Sequence, residues 1–323
     1  MRAIRFDRVG GPDVLTLLDV AVPEPGPGEI RVRHDAIGIN FIDIYHRTGL
    51  YPLPLPSGIG LEAAGTVDAI GLGVSRFAVG DPVAYCTGPI GAYAESHVVP
   101  EARAVKRPAG LDARTAAAAM LKGLTAEFLL RRCAPVTAGQ AVLIHAAAGG
   151  VGSILVQWAR ALGATVIATA GAEEKRAAVR ALGADHVLDG AAADLADAVR
   201  AATGGRGVDI VYDGVGQATF DASLASLARR GRLVSFGNAS GPVPPIDPLG
   251  LSRAGSLHFT RPTLFDYVAT TEELDAAAAA LFAVLESGAA AVDIGAEWPL
   301  ADAAKAQQAL AARATSGSCL LIP

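Results

Sequence analysis

Between residues 140 and 236, short runs that are apolar throughout alternate with stretches of helical period. AVLIHA (141–146) precedes a helical stretch at 151–162, TVIATA (165–170) one at 173–182, HVLD (186–189) one at 192–202 and VDIVYDG (208–214) one at 217–228, and RLVSFG (232–237) closes the series. Strands apolar on both faces, each followed by a helix, predict a parallel sheet covered on both sides, the doubly wound α/β nucleotide-binding architecture. The first hundred residues read differently. VRHDAIGI, GTVDAIG and DPVAYCT are short β-branched or aromatic runs set between glycines and prolines, which predicts a mostly β domain. At Asp112 the texture changes again: this residue can cap the Ala-rich run RTAAAAMLKG, and residues 125–132 continue as a second helical stretch. SLHFTRP (256–262) predicts a further strand. Thr270 with Glu273 forms a capping box that opens an Ala-rich helix ending ahead of Gly288, and the tail returns to strand-like runs.

Composition narrows the function classes. The chain has 323 residues, 51% of them hydrophobic, with 27 Lys+Arg against 32 Asp+Glu and a net charge of -5. A chain of this length buries roughly three quarters of the surface its unfolded form exposes, enough for two moderate cores. Mild acidity gives no electrostatic reason to bind nucleic acid or an anionic membrane, so small neutral substrates are the better expectation. Arg229, Arg230 and Arg232 form one basic run, read here as a solvated turn. Cys86, Cys133 and Cys319 have no C-x-x-C spacing, so neither a disulfide framework nor a thiolate zinc knot can be written, and a reducing compartment follows. The N-terminus lacks a secretory apolar core, and residues 276–285 are too short an apolar run to span a bilayer, so a soluble cytoplasmic protein is expected.

The chemistry concentrates after AVLIHA, where AAAGGVGS (146–153) leads into a helix. Aligned on G-x-G-x-x-G, the loop reads Ala147, Ala148, Gly149, Gly150, Val151, Gly152, with alanine at the first glycine position. Gly149 would let backbone approach a pyrophosphate, Gly152 would let helix pack on strand, and the helix N-terminus would offer N–H groups to phosphate. The second strand ends Thr169, Ala170, Gly171 with no carboxylate for ribose hydroxyls; the nearest acids, Glu173 and Glu174, precede Lys175 and Arg176, which could meet a 2'-phosphate. That favours NADPH over NADH, although 173–176 also reads as a solvated helix face.

These residues resemble the medium-chain dehydrogenases/reductases, and among them the zinc-independent quinone oxidoreductases that include zeta-crystallin. The match spans nearly the whole chain and is sharpest at Gly139, Gln140, Leu143, Ala147, Ala148, Gly149, Gly150, Gly152 and Gln157. Around it stand GINFIDIYHRTGLYP from Gly38, GLEAAGTV from Gly60, GDPV from Gly80, LKGLTAEFLL from Leu121, VSFGNASG from Val234, TRP from Thr260 and RATSG from Arg313. The resemblance implies a Rossmann NADPH-binding domain over 124–261 and a GroES-like catalytic domain over 1–123 and 262–323. It implies NADPH-dependent, metal-independent quinone reduction by hydride transfer from the nicotinamide C4. Zinc alcohol dehydrogenases of this superfamily carry Cys where this chain has Asn40 and His where it has Leu61, and neither Asn nor Leu is a strong zinc ligand.

By the same resemblance Asn40 orients the nicotinamide amide and the acceptor oxygen. Tyr51 shapes the pocket and is a candidate proton donor, with Asp43 and Tyr45 nearby. Lys122 and Thr125 are expected beside the cofactor, Phe236, Gly237 and Asn238 on its nicotinamide side, and Arg313 toward its phosphates. One departure is that the family often places Tyr after the third strand, near the 2'-phosphate, where this chain has Asp189, Gly190 and Ala191. The family also implies a homodimer that pairs edge strands, with SLHFTRP as the candidate edge. Two rival readings stay open: reduction of the double bond of enones, alkenes or enoyl thioesters, and a non-catalytic dinucleotide-binding role of the crystallin kind.

Overall fold

Glycine and proline punctuation cuts the amino-terminal segment into short strands: β1 (Arg2–Phe6), β2 (Thr16–Asp19), β3 (Glu29–Ile39), β4 (Ser57–Gly58), β5 (Glu62–Ile70), β6 (Pro82–Tyr85), β7 (Ser96–Pro100) and β8 (Ala104–Lys106). Helix α1 (Phe41–Thr48) follows β3 directly and ends at Gly49, whose φ of 81° suits a residue without Cβ. The structure is a computed structural model describing residues 1–323, and the chain divides into two units. The first comprises 1–124, 268–286 and 292–323; the second comprises 125–267 and 287–291.

Asp112 caps helix α2 (Ala113–Phe128), accepting from the Thr115 backbone N–H at 2.9 Å and from its hydroxyl at 2.7 Å. The sequence predicts two helical stretches here, yet α2 runs unbroken through Gly123. A Cβ at that position would come within 2.4 Å of Leu281, so this glycine serves close packing and does not interrupt the helix. A π-helical turn, Leu129–Cys133, follows.

In the second unit the alternation predicted from apolar runs is realised: β9 (Ala141–Ile144), α3 (Gly150–Ala161), β10 (Thr165–Ala170), α4 (Glu173–Ala181), β11 (His186–Asp189), α5 (Leu195–Ala202), β12 (Val208–Asp213), α6 (Phe220–Ser226), β13 (Leu227–Ser235), α7 (Pro248–Arg253), β14 (His258–Thr260) and α8 (Leu264–Tyr267). Six parallel strands lie in the order β11-β10-β9-β12-β13-β14, so successive strands step outward from β9 first to one side and then to the other. Leu143, Ile167, Val211 and Leu233 from four strands meet Val199 and Phe220 from the covering helices in one buried cluster. Helix α6 is shorter than the sequence pattern predicts, because residues from Leu227 onward already belong to β13.

The tail supplies α9 (Thr271–Glu286), β15 (Ile294–Pro299), α10 (Ala303–Ala311) and β16 (Ser318–Ile322). The predicted capping box is present: Glu273 accepts from the Thr270 N–H at 3.0 Å, and the Thr270 hydroxyl oxygen accepts from the Glu273 N–H at 3.2 Å. Strands β15 and β16 complete a sheet ordered β15-β16-β3-β5-β6-β8, with β7 also pairing β3, while β2-β1-β4 form a smaller sheet. Ile30, Val32, Ile37, Val67, Tyr85 and Leu321 pack inside this unit.

Candidate active site

Gly38 and Glu62 face each other in the antiparallel register of β3 and β5. A Cβ on residue 38 would fall 2.0 Å from Glu62 Oε2 and 2.5 Å from the Ala117 carbonyl, so only glycine leaves room for this carboxylate. The Glu62 side chain, fully buried, accepts from three donors. Oε1 accepts from the Leu121 N–H at 2.6 Å, and Oε2 accepts from Asn40 Nδ2 at 2.8 Å and Lys122 Nζ at 2.9 Å. Burying both partners of an ion pair is tolerable when further hydrogen bonds offset the lost hydration, and here the Asn40 and Leu121 donors do so. Asn40 and Lys122, chosen from the sequence, are therefore joined by an acid that sequence reasoning passed over as part of GLEAAGTV.

Asn40 is the N-cap of α1, and its N–H donates to Asp43 Oδ2 at 2.8 Å. The Tyr93 hydroxyl donates to the same oxygen at 2.8 Å, while Asp43 Oδ1 is buried without a partner. Burial pushes the Asp43 carboxyl up to about 7, against the opposing pull of the Asn40 and Tyr93 donors and the more distant Lys122. Burial, reinforced by the facing Asp43, likewise raises the Tyr93 phenol well above its usual range. Tyr45 and Tyr51 stand edge to face with ring centroids 5.2 Å apart, and the Tyr51 N–H donates to the Tyr45 carbonyl at 3.1 Å. Asn40, Asp43, Tyr45, Tyr51 and Lys122 thus belong to the first unit, Asn40 being bonded to Asp43 directly and linked to Lys122 through Glu62. Arg313 is also in this unit, with a left-handed φ of 56° just after α10.

In the second unit the loop of Ala148, Gly149, Gly150, Val151 and Gly152 sits between β9 and α3 as expected. Gly149 is the N-cap of α3 and no side chain caps that end, so the N–H groups of Gly150, Val151 and Gly152 have no partner within the helix. A Cβ on Gly152 would lie 2.4 Å from the Ala146 carbonyl and 2.7 Å from Ala147 Cα, which accounts for glycine at the third position. Ala146 itself takes a φ of 50°, the left-handed conformation that the loop requires without a glycine there. Open N–H groups, a positive helix end and a glycine-walled loop fit a dinucleotide pyrophosphate.

Gly171 follows β10 with open space where a Cβ would stand. Lys175 and Arg176 lie in the first turn of α4. Arg176 Nε donates to Glu173 at 2.9 Å, its Nη1 donates to the Gly171 carbonyl, and the same nitrogen is 3.4 Å from Asp189 at the end of β11. Asp189, the acid beside Gly190, is thus already paired with Arg176.

Phe236, Gly237 and Asn238 follow β13. Gly237 packs so closely on Gly214 that a Cβ would meet its carbonyl at 2.3 Å. Asn238, with its amide turned to satisfy both neighbours, donates to the Gly237 carbonyl at 3.0 Å and accepts from Arg261 at 3.1 Å, while Arg261 also donates to the Ser235 carbonyl at 2.9 Å. Beneath these residues lies a buried network that the sequence did not single out. Asp213 Oδ2 accepts from the hydroxyls of Thr219 (2.7 Å) and Ser223 (2.8 Å), and Oδ1 from the N–H groups of Val215 and Gly216. His145 bridges Ser223 and Thr169 at 3.0 and 3.1 Å, and burial lowers its pKa, which keeps the ring neutral. Thr125 is buried on α2. The signal for Asp213 was at hand in VDIVYDG, where an acid ends an otherwise apolar strand.

Known proteins can be compared with this arrangement. The family description "Alcohol dehydrogenase GroES-like domain" matches residues 26–109, and "Zinc-binding dehydrogenase" matches residues 150–283. A quinone oxidoreductase of Pseudomonas aeruginosa is 50% identical, covering 100% of this chain and 99% of that protein. The structure of Escherichia coli quinone oxidoreductase complexed with NADPH is 45% identical, covers 100% of both chains and has a TM-score of 0.98. A 2-haloacrylate reductase of Burkholderia sp is 43% identical, covering 97% of this chain and 96% of that protein. With such identity along the entire length, and an architecture that follows from its own residues, the chain belongs to the zeta-crystallin-like quinone oxidoreductases of the medium-chain dehydrogenase/reductase family.

Proposed function

We propose that this protein reduces quinones with NADPH, without a metal ion. The observation that carries the reading is the Asn40–Glu62–Lys122 cluster: where zinc dehydrogenases of the superfamily use Cys and His ligands, an amide and Leu61 stand beside a carboxylate already neutralised by an ammonium. NADPH, when bound, supplies a hydride from its nicotinamide C4. The chain's own residues bind, orient and exclude water. The backbone N–H groups of Gly150, Val151 and Gly152 hold the pyrophosphate, and Lys175, Arg176 and Arg313 meet the phosphates. One N–H of the Asn40 amide is committed to Glu62, which fixes the amide plane and leaves its second N–H to orient the nicotinamide or the acceptor oxygen. Tyr45 and Tyr51 wall the acceptor, and a quinone needs no Lewis acid because it delocalises the charge it receives. Phe236, Gly237 and Asn238 border the nicotinamide, with Thr125 as a further contact.

The relative named for 2-haloacrylate supports a second reading, reduction of an activated carbon–carbon double bond by the same hydride. Chelator-treated protein assayed with NADPH and NADH against ortho- and para-quinones and against 2-chloroacrylate separates the two. We expect NADPH-selective quinone turnover that the chelator does not alter. Turnover confined to the acrylate, with NADPH bound normally, would replace the quinone assignment. The free outer edge of β14 supports a homodimer formed by strand pairing, which sedimentation tests. Three cysteines, none in a disulfide, support a reducing, cytoplasmic setting.

A further inference from the structure

The second unit has a cavity of 610 Å³ at the end of its sheet opposite the glycine loop. Gln140 precedes β9 and lines this cavity, whereas the glycine loop follows β9. Three arginines, Arg229, Arg230 and Arg232, line it together with Asp209 and His258.

A break in the strand pairing builds the site. Val208 pairs with Leu227 and Ile210 with Arg232, so the single residue Asp209 of β12 stands opposite residues 228–231 of β13. The surplus backbone swings out of the ladder and carries Arg229 and Arg230 with it. Arg230 adopts a φ of 64°, a conformation that side chains with a Cβ rarely take, and its N–H is tied to the Gly255 carbonyl at 2.8 Å. The charges there are not balanced internally. Asp209, the lone carboxylate of the lining, is occupied by Arg206 at 2.5 and 3.0 Å and by the Ala141 N–H at 2.8 Å. None of the three lining guanidiniums is engaged by a carboxylate of the chain. Gln140 uses its carbonyl oxygen on the Thr137 N–H at 2.9 Å, which leaves its amide NH₂ as a further donor. On a chain of net charge -5, this is a local excess of forked donors, the geometry that suits phosphoryl oxygens. The volume lies in the range of small-molecule sites and exceeds what one phosphate ion fills.

We propose that this cavity is a second anion site, separate from the coenzyme site, which binds a small molecule through a di- or triphosphate group. The inference goes beyond the reductase reading and does not depend on it. The test is calorimetric titration of inorganic triphosphate, and in parallel ATP, into full-length protein saturated with NADPH, at low and high salt. The expected result is one further site per chain that weakens with salt, and that weakens at least about tenfold when Arg229→Gln and Arg232→Gln are combined. NADPH oxidation by that variant should be unchanged, which also reports that it is folded. Arg230→Gly is the second variant: it removes one charge while relieving the left-handed φ, so it should lower affinity in a chain at least as stable as the original. Equal binding of triphosphate and ATP would mean that phosphoryl groups alone are read, and tighter binding of ATP would add a contact to the base. Absence of saturable triphosphate binding, binding of ATP without triphosphate, or binding that survives these substitutions would each overturn the proposal.

Discussion

Two charged clusters in this protein are built in opposite ways. Around Glu62 the charges are buried, both carboxylate oxygens are met by fixed donors, and a missing side chain at Gly38 makes the room. Around Arg176 the partners are half exposed: Glu173 and Asp189 compete for one guanidinium while Arg180 competes for Glu173. The first arrangement cannot lose a member without stranding a charge away from water, whereas the second can exchange partners at little cost. The difference suits the tasks proposed for them, since Asn40 has to be held rigidly and a phosphate has to be admitted and released.

The sharpest way to break this contrast is to remove the ammonium. Lys122→Met should strand Glu62 and cost about 3–5 kcal/mol in urea unfolding, with kcat falling as Asn40 loosens. A loss no larger than that of a surface pair would mean the cluster is wetter than its burial indicates. Asp43 comes next. Its carboxyl ionises near 7 in the folded chain against an ordinary 3.8, so the folded state holds a proton that the unfolded state has released between those values. That contribution is complete below 3.8 and is lost as the pH rises through 7, on the order of a few kcal/mol. Asp43→Asn should flatten the dependence of Tm on pH across this window, and an unchanged slope would refute the assignment.

On the nucleotide side the expected effects are smaller. Gly152→Ala pushes a Cβ into the Ala146 carbonyl and should weaken NADPH binding by roughly tenfold in a fluorescence titration, through displacement of the loop's N–H groups. Asp189→Asn should remove one of the two acids that compete for Arg176 and raise the ratio of NADPH to NADH affinity by about two- to fivefold, the scale of an exposed ion pair. A larger change at Asp189 than at Lys122 would invert the comparison.

The two clusters were also unequally legible. The glycine loop could be read because strand, loop and helix are contiguous, and each glycine has a local reason. Lys175 and Arg176 were visible as cations beside acids, but the bond from Arg176 to Asp189 depends on the pairing of β10 with β11, which sequence order alone does not show. Glu62 was harder still. It reads as one residue of a strand, and its role appears only when Gly38 from β3 and Lys122 from α2 arrive beside it. Tyr93 lies in a loop stretch, GAYAES, with no periodicity to reveal that its hydroxyl meets Asp43. The doubly wound order followed from the alternation of apolar runs, whereas the continuity of α2 through Gly123 did not, since a glycine that admits Leu281 looks in sequence like one that ends a helix.

Gly38 also bears on how this protein can vary among its descendants. A mutational scan would find that one of its most restricted positions bears no side chain, because even alanine would displace the carboxylate that holds Asn40 and Lys122. Lineages could then recolour the exposed rim around Asp189 one substitution at a time, adjusting the preferred coenzyme, while the ground beneath Asn40 stays closed to single steps.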